Sequence, residues 1–276
     1  MKLCLAICNK LKQRRNSFGV KQNEEHLLSS VKNALRILRS FSMDEPEKKI
    51  SDLSSELGLN KSTVSRTMAT LASEGFVYKD PESKKYRLGL SILSLSGIVN
   101  NNMDVYRESQ PVLNRLVENI GETAHISIVD NLSVIYLQKV ECNHPVRFLT
   151  HVGKRNPMYC TSSGKVLLAF SDNELVEAVI AKGLKQYTNH TMTDPDKLRV
   201  NLAEVRKNGY AYSIEEISEG VNSVAGPVFD YTGKVIAALS VVGPKQRIDQ
   251  YKIPYIAKKV IQASKEISEK MGYWDY

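Results

Sequence analysis

The stretch from residue 50 to residue 88 constrains the fold more than any other. Leu53 and Leu57 sit four apart, Gly58 follows, and Val64, Met68 and Leu71 recur at spacings of four and three. Two short helices joined at a glycine turn meet this pattern. Ser51 is placed to cap the first and Asn60 the second, because a short polar side chain accepts from the orphan N–H groups of a first helical turn. Gly75 stops the second helix. Two short strands, expected at 76–79 and 84–88, flank Asp80-Pro81-Glu82-Ser83, a sequence with strong turn chemistry. Helix, turn, helix and hairpin in this order describe a winged helix-turn-helix.

The flanking periodicities place this module within a larger chain. Upstream, Val31, Ala34, Leu35, Leu38 and Phe41 form one face of a helix that Asp44-Glu45-Pro46 ends. Residues 1–26 are basic, lack a period and read as a disordered arm. Downstream, residues 90–100 read as a helical connector with Ile92, Leu93, Leu95 and Ile98 as an apolar stripe, suited to a second copy or to its own domain. A helix carrying Val105, Val112, Leu113, Leu116, Val117 and Ile120 then stops at Gly121. Beyond it the period changes to two. Strands at 124–129 and 134–140 flank Asp130-Asn131, and a third strand is expected at 146–150. Helices follow at 162–170 and 172–181, and another opens at Asp194-Pro195 and ends near Gly209. Strands near 210–215, 224–229 and 235–242 precede a last helix at 254–271. The fold class is α+β: a winged helix-turn-helix at 27–89, a linker helix at 90–104, and an α+β domain at 105–276. That domain is a mainly antiparallel sheet with flanking helices, GAF-like in outline.

Charge separates the two parts. The chain of 276 residues carries a net charge of +8, and residues 1–90 hold 17 Lys/Arg against 10 Asp/Glu. A basic first third on a neutral remainder points to a polyanion as partner of the first third. The four cysteines, Cys4, Cys8, Cys142 and Cys160, are too few and scattered for a disulfide framework. No stretch reaches the 18 or so apolar residues of a membrane span. The first residues resemble a signal peptide only superficially, since Asn9-Lys10 follows a short apolar run with no small-residue cleavage site. A cytoplasmic protein is expected, with no membrane partner.

On the second helix of the helix-turn-helix, the outward positions are Lys61, Ser62, Thr63, Ser65, Arg66 and Thr70. Hydroxyls and amide ends suit phosphates, and an arginine reaches base edges in a major groove. The hairpin adds Lys84, Lys85 and Arg87, with Lys79 beside them, as a basic wing along the phosphate backbone, tempered by Asp80 and Glu82 at its tip. Double-stranded operator DNA is the expected partner.

Several strings together resemble the IclR family of bacterial transcription regulators. Ser30-Val31-Lys32-Asn33-Ala34-Leu35-Arg36-Ile37-Leu38 is similar to that family's opening helix, Leu57 to Arg66 to its recognition helix, and Tyr86-Arg87-Leu88-Gly89 to its wing exit. Three further matches lie in the C-terminal half. They are Pro157-Met158 with Ser163-Gly164-Lys165, Gly209-Tyr210 leading to Glu215-Glu216, and Gly226-Pro227-Val228-Phe229-Asp230 with Ala238-Leu239-Ser240. The resemblance spans about residues 28–270 in the expected order. It implies a transcriptional regulator; a repressor is expected before an activator, and a homodimer or tetramer is expected because two recognition helices then meet successive major grooves. It also implies a C-terminal domain that binds a small effector, an organic or sugar-derived acid. The implied effector residues are Ser162, Ser163, Gly164, Ser213, Val221, Ser223, Ser240 and Val242. A helix start there suits a carboxylate. Ser213 and Val242 stand where relatives that bind small keto acids carry an acid and a hydroxyl, which argues against a two- or three-carbon keto acid.

Other chemistries fit less well. Ser162-Ser163-Gly164-Lys165 lacks the glycine and hydroxyl a P-loop needs, having Tyr159 and Val166 there. An enzyme using Cys160 and Ser163, with His125, His144 or His151 as base, is the alternative reading, and no nucleophile motif accompanies it. Cys142, His144 and His151 could contribute to a metal site but lack a ligand motif; neither metal nor cofactor is expected. Glu215 and Glu216, if on a strand, point to opposite faces and form no catalytic dyad. A purely architectural DNA-binding or RNA-binding protein would not need so large a neutral second domain.

Overall fold

The computed structural model describes residues 27–144 and 150–274. The expected arm at 1–26 lies outside them, as does the strand expected at 146–150 except for Thr150. The chain divides into two compact units, residues 1–95 and 96–276.

In the first unit, α1 (Ser29–Ser40), α2 (Ile50–Leu57) and α3 (Lys61–Ser73) precede β1 (Val77–Lys79) and β2 (Tyr86–Leu88). Ile37, Leu53, Val64, Met68, Leu71, Val77 and Tyr86 form its core. α1 departs from expectation in its inward face. Ile37 is fully buried, with Ala34, Leu38 and Phe41 against the core, while Val31 and Leu35 stay about half exposed. α1 carries two apolar stripes, and the three-helix core takes the later one.

The caps also differ. Lys49, not Ser51, precedes α2, and the Asp52 carboxylate accepts the Lys49 N–H at 2.9 Å. Asn60 occupies the position before α3 but makes no side-chain cap bond. Gly58 adopts φ 65° between α2 and α3, the left-handed turn that residues with a Cβ resist. Lys48 exchanges two backbone hydrogen bonds with Tyr86, of 2.9 and 2.8 Å, a single antiparallel bridge beside the two-stranded wing. Its ammonium is buried and answered by Glu56 at 2.5 Å and Glu45 at 2.7 Å. α4 (Ser91–Asn101) follows the wing and contains the division between the two units.

The second unit is built on one antiparallel sheet. Its elements are α5 (Asp104–Ile120), β3 (Thr123–Asp130), β4 (Ser133–Val140), β5 (Arg155–Pro157), α6 (Ser162–Ala169), α7 (Asn173–Ala181), α8 (Pro195–Asn208), β6 (Ala211–Ile214), β7 (Val221–Phe229), β8 (Val235–Pro244) and α9 (Ile253–Lys270). The strand order is β5-β4-β3-β8-β7-β6. α5 and α9 cover one face over Leu113, Ala124, Ile126, Val224, Leu239, Val241 and Val260. α6 and α8 cover the other over Val166, Leu168, Leu198, Ala211, Ala225 and Ala238. The fold is α+β, as expected. β5 was not anticipated: three residues ending in a proline show no alternation, and proline is tolerated at a sheet edge. Among the described residues no helix is long and apolar enough to cross a membrane.

Candidate functional site

The helical period of α3 sends Val64, Met68 and Leu71 inward, so Lys61, Ser62, Thr63, Ser65, Arg66 and Thr70 all stand exposed, as the sequence predicts. The Thr70 hydroxyl donates to the Arg66 carbonyl at 3.2 Å, so toward solvent it offers lone pairs. In the wing, Lys84 and Arg87 are exposed and Lys85 half-buried, its ammonium 3.8 Å from Glu47. The Arg87 guanidinium lies 4.7 Å from the centre of the Tyr78 ring, its cross-strand partner. Tyr78 was missed by sequence reasoning; its partner is fixed by the hairpin register, which the turn decides. Asp80 turns inward on the tip, accepting from the N–H groups of Ser83 and Glu82 at 2.6 and 3.1 Å. The Ser83 bond, first among these contacts, holds its carboxyl below the usual range. Asp80 therefore staples the wing turn while remaining an acid near its tip. The exposed set on α3 and the wing is a polar and cationic surface of the kind that grips phosphates and reads base edges.

The second constellation lies on the sheet face beneath α6. Ser213 pairs with Ser223, and Ser223 with Val242, in one cross-strand row. Ser240 stands two residues along β8 on the same face, and Val221 two residues along β7. Ser162 reaches down from α6 and donates to the Ser223 hydroxyl at 2.8 Å. Seven of the eight residues implied as effector contacts thus gather around the start of α6, with Val221 at the end of the sheet. Val221, Ser223 and Val242 are partly exposed and the other five buried. A cleft of about 400 Å³ elsewhere, lined by Asn114, Glu118, Gly121, Cys142 and His144 among others, contains none of the eight.

Gly164 has structural work of its own at the start of α6. The Thr161 side chain caps the helix by accepting the Gly164 N–H at 3.1 Å, and the Lys165 N–H bonds the Thr161 carbonyl. The N–H groups of Ser162 and Ser163 head the helix instead. Gly164 is required for another reason. A Cβ there would lie 2.1 Å from the Met158 carbonyl oxygen.

Ser213 donates to the Cys160 carbonyl at 3.2 Å. Cys160 is fully buried, and burial, with Glu216 nearby, pushes its thiol up to about 12. Such a thiol stays protonated and is no nucleophile at neutral pH. Glu215 and Glu216 are not on a strand, because β6 ends at Ile214 and Glu215 turns with φ 51°. Glu215 accepts the Gly220 N–H at 2.7 Å and pairs with Lys245 at 3.2 Å. Glu216 is buried against Lys165 on α6. Desolvation pushes the Glu216 carboxyl up, with Lys165 opposing it.

His125, weighed above as a base for Cys160, does other work. Its Nε2 lies 2.9 Å from the Thr150 hydroxyl, and its ring stacks on Tyr136 at 4.6 Å. Burial, with a smaller contribution from Lys139, lowers its pKa to about 3, so the imidazole is neutral. The sequence contained a signal for it: Thr123, His125 and Ser127 alternate with Ala124, Ile126 and Ile128. Among the described residues, no cluster of His, Cys, Asp and Glu is placed to hold a metal ion.

Comparison with known proteins finds relatives of both parts of the chain. The family model for the bacterial transcriptional regulator IclR C-terminal domain matches residues 98–269. The IclR helix-turn-helix domain model matches residues 30–81. The HTH-type transcriptional regulator KdgR of Escherichia coli (strain K12) is 35% identical over 251 residues, covering 90% of this chain and 95% of that one. The HTH-type transcriptional repressor AllR of Salmonella typhimurium is 30% identical over 88% of this chain and 90% of its own. Among solved structures, an IclR-type regulator from Alicyclobacillus acidocaldarius has a TM-score of 0.80 at 30% identity, covering 90% of this chain and all of that one. An IclR homolog from Microbacterium hydrocarbonoxydans, complexed with 4-hydroxybenzoate, has a TM-score of 0.79 at 26% identity, covering 88% and 99%.

Proposed function

We propose that this chain, which belongs to the IclR family of bacterial transcriptional regulators, is a cytoplasmic repressor that an organic or sugar-derived acid releases from its operator. It is a DNA-binding regulator with an effector-binding C-terminal domain, and its relatives are named as regulators of transcription rather than as enzymes. The observation that carries the DNA-binding geometry is the exposed polar face of α3, continued by Lys84, Lys85 and Arg87 on the wing. α3 enters a major groove, Arg66 reads a base edge, and the wing lysines lie along phosphate. Repression is favoured by the likeness to AllR.

The acid sits beneath the start of α6, its carboxylate on the N–H groups of Ser162 and Ser163, where the helix dipole favours negative charge. Ser223, Ser240, Ser213, Val242 and Val221 line the remainder, and Gly164 lets the helix start approach Met158. The regulator works as a homodimer or a tetramer. Leu90, Leu93, Leu95 and Ile98 are more than half exposed, an apolar stripe that a second copy covers; Ile92 is half-buried and contributes less. Two recognition helices then meet successive major grooves about 34 Å apart. The effector acts by binding one spacing of the two heads better than the other.

The DNA contacts are separable in a gel-shift series. Arg66→Ala is expected to weaken operator binding by about 1–3 kcal/mol and to relax preference at one base pair. Lys85→Ala is expected to lower affinity for all sequences alike and to reduce the salt slope by about 1. Unchanged affinity would remove either residue from the interface. The sensing arm is tested by thermal melting of the full chain with a panel of keto, hydroxy, sugar and aromatic acids. At a hundred times Kd a bound acid adds about 2.7 kcal/mol, a shift of several degrees. A panel that moves nothing would sink the sensing assignment.

A further inference from the structure

Strand β3 alternates strictly where it crosses the domain centre. Ala124 and Ile126 enter the core beneath α5 and α9, which turns Thr123, His125 and Ser127 toward the α6 side. Directly across from His125 on β8 is Ser240, and Ser240 faces Ala225 on β7. The neighbouring row holds Thr123, Val242, Ser223 and Ser213. His125 therefore adjoins the residues gathered under α6, one strand beyond Ser240. Its ring is fixed from two sides, by the Tyr136 stack and by the Thr150 hydroxyl, so its direction is set before any ligand arrives.

We propose that His125 is a specificity-determining residue of the effector site, reading with Ser240 a hydroxyl or carbonyl on the end of the acid remote from its carboxylate. This rests on the effector-site reading above and adds its far end. The sheet gives the length of the ligand. With strands about 4.8 Å apart and about 3.4 Å per residue, the Cα atoms of Ser223 and His125, two strands and two residues apart, lie roughly 12 Å from each other. Ser162 stands over Ser223, so the carboxylate end is above that position. Allowing about 3 Å for the lean of the imidazole along its strand and about 3 Å for its hydrogen bond leaves about 6 Å between the polar ends of the ligand, several bonds more than a two- or three-carbon acid spans. A hydroxylated acid of about five to seven carbons, or a ring acid with its hydroxyl opposite the carboxylate, fits that length.

The charges around the ring favour a neutral partner. Lys139 faces it from β4 and is engaged with Glu141 and the Thr150 carbonyl, β8 presents Ser240, and on α6 Lys165 is paired with Glu216. The neutral imidazole suits a hydroxyl better than a second carboxylate.

The test is calorimetric titration of the full chain with 4-hydroxybenzoate and benzoate, and with gluconate and hexanoate, pairs of similar length that differ in distal hydroxyls. His125→Phe keeps a ring on Tyr136 and removes both nitrogens. We expect the preference of the wild type for the hydroxylated member of at least one pair to fall about tenfold or more in His125→Phe, with the plain acid changed less than threefold. An equal loss for both members, or no loss for either, would overturn the proposal. If His125→Phe does not fold, His125→Asn is judged by the same ratio. Ser223→Val separates the two readings. Binding abolished by Ser223→Val but unaltered in ratio by His125→Phe removes His125 alone, whereas no binding of any of the four acids to the wild type removes the effector-site reading and this proposal with it.

Discussion

Gly164→Ala is expected to collapse the effector domain's stability, lowering its thermal midpoint by about 6–12 °C or preventing folding. The new Cβ would lie 2.1 Å from the Met158 carbonyl oxygen, 2.4 Å from its Cα and 2.6 Å from its carbonyl carbon. All three are backbone atoms, so no rotamer change relieves the clash. The turn that carries them is pinned as well. Thr161 donates to the Pro157 carbonyl at 3.0 Å and accepts from Gly164, and the Met158 side chain is fully buried. Overpacking a tight site costs about 1–3 kcal/mol and more where backbone must move. For a domain of this size each kcal/mol is worth about 2–4 °C. Differential scanning calorimetry of the full chain measures it. A midpoint within 2 °C of the wild type would show that the turn yields, and would return Gly164 to the ligand as its reason for being glycine.

The same turn shows where sequence reasoning reached and where it stopped. α3 was legible because Val64, Met68 and Leu71 share one face and no second apolar stripe competes. α1 has two stripes, and Val31 with Leu35 is as apolar as Ile37 with Leu38; packing against α2 and α3 selects between them. β3, β4, β7 and β8 were legible from period two. β5 was not, since three residues are too few to alternate. Glu215 and Glu216 read as strand because Tyr210 to Ile214 does, but Glu215 turns to let its N–H meet the Val221 carbonyl, a partner six residues away in β7. Of the residues implied by resemblance, Ser162 meets Ser223, and Ser213, Ser223 and Val242 share one cross-strand row. The close approach of Gly164 to the Met158 backbone was not legible, because it depends on a turn folding back over the start of α6. Buried lysines were the least legible of all, because a lone Lys in a sequence reads as surface.

Lys165 is such a lysine, and Lys165→Met is expected to cost about 3–5 kcal/mol. Its side chain is 3% exposed and that of its partner Glu216 9%. Its ammonium also donates to the Tyr212 carbonyl at 3.3 Å. The pair ties α6 to the chain leaving β6. That chain is clamped in turn by Thr188 and Thr191, whose hydroxyls donate to the carbonyls of Glu215 and Glu216, each at 2.6 Å. Methionine fills the space of the lysine stem but leaves the buried carboxylate without a countercharge. The pH dependence identifies that cause. Burial already raises the Glu216 carboxyl above its ordinary 4.5, and losing Lys165 raises it further. A folded-state pKa above the unfolded one means the native state holds the extra proton, so stability falls as pH rises from 4.5 through the folded value. The deficit of Lys165→Met relative to wild type should therefore be small near pH 4.5 and widest at pH 8. Lys165→Met with Glu216→Leu should recover most of the loss at every pH, because a well-packed apolar pair replaces an ion pair at little net cost. Urea denaturation of the two single variants and the double at pH 5 and 8 completes the cycle. A single-variant loss below about 1 kcal/mol at both pH values would mean that water reaches the pair and that α6 is held in place by its apolar face alone.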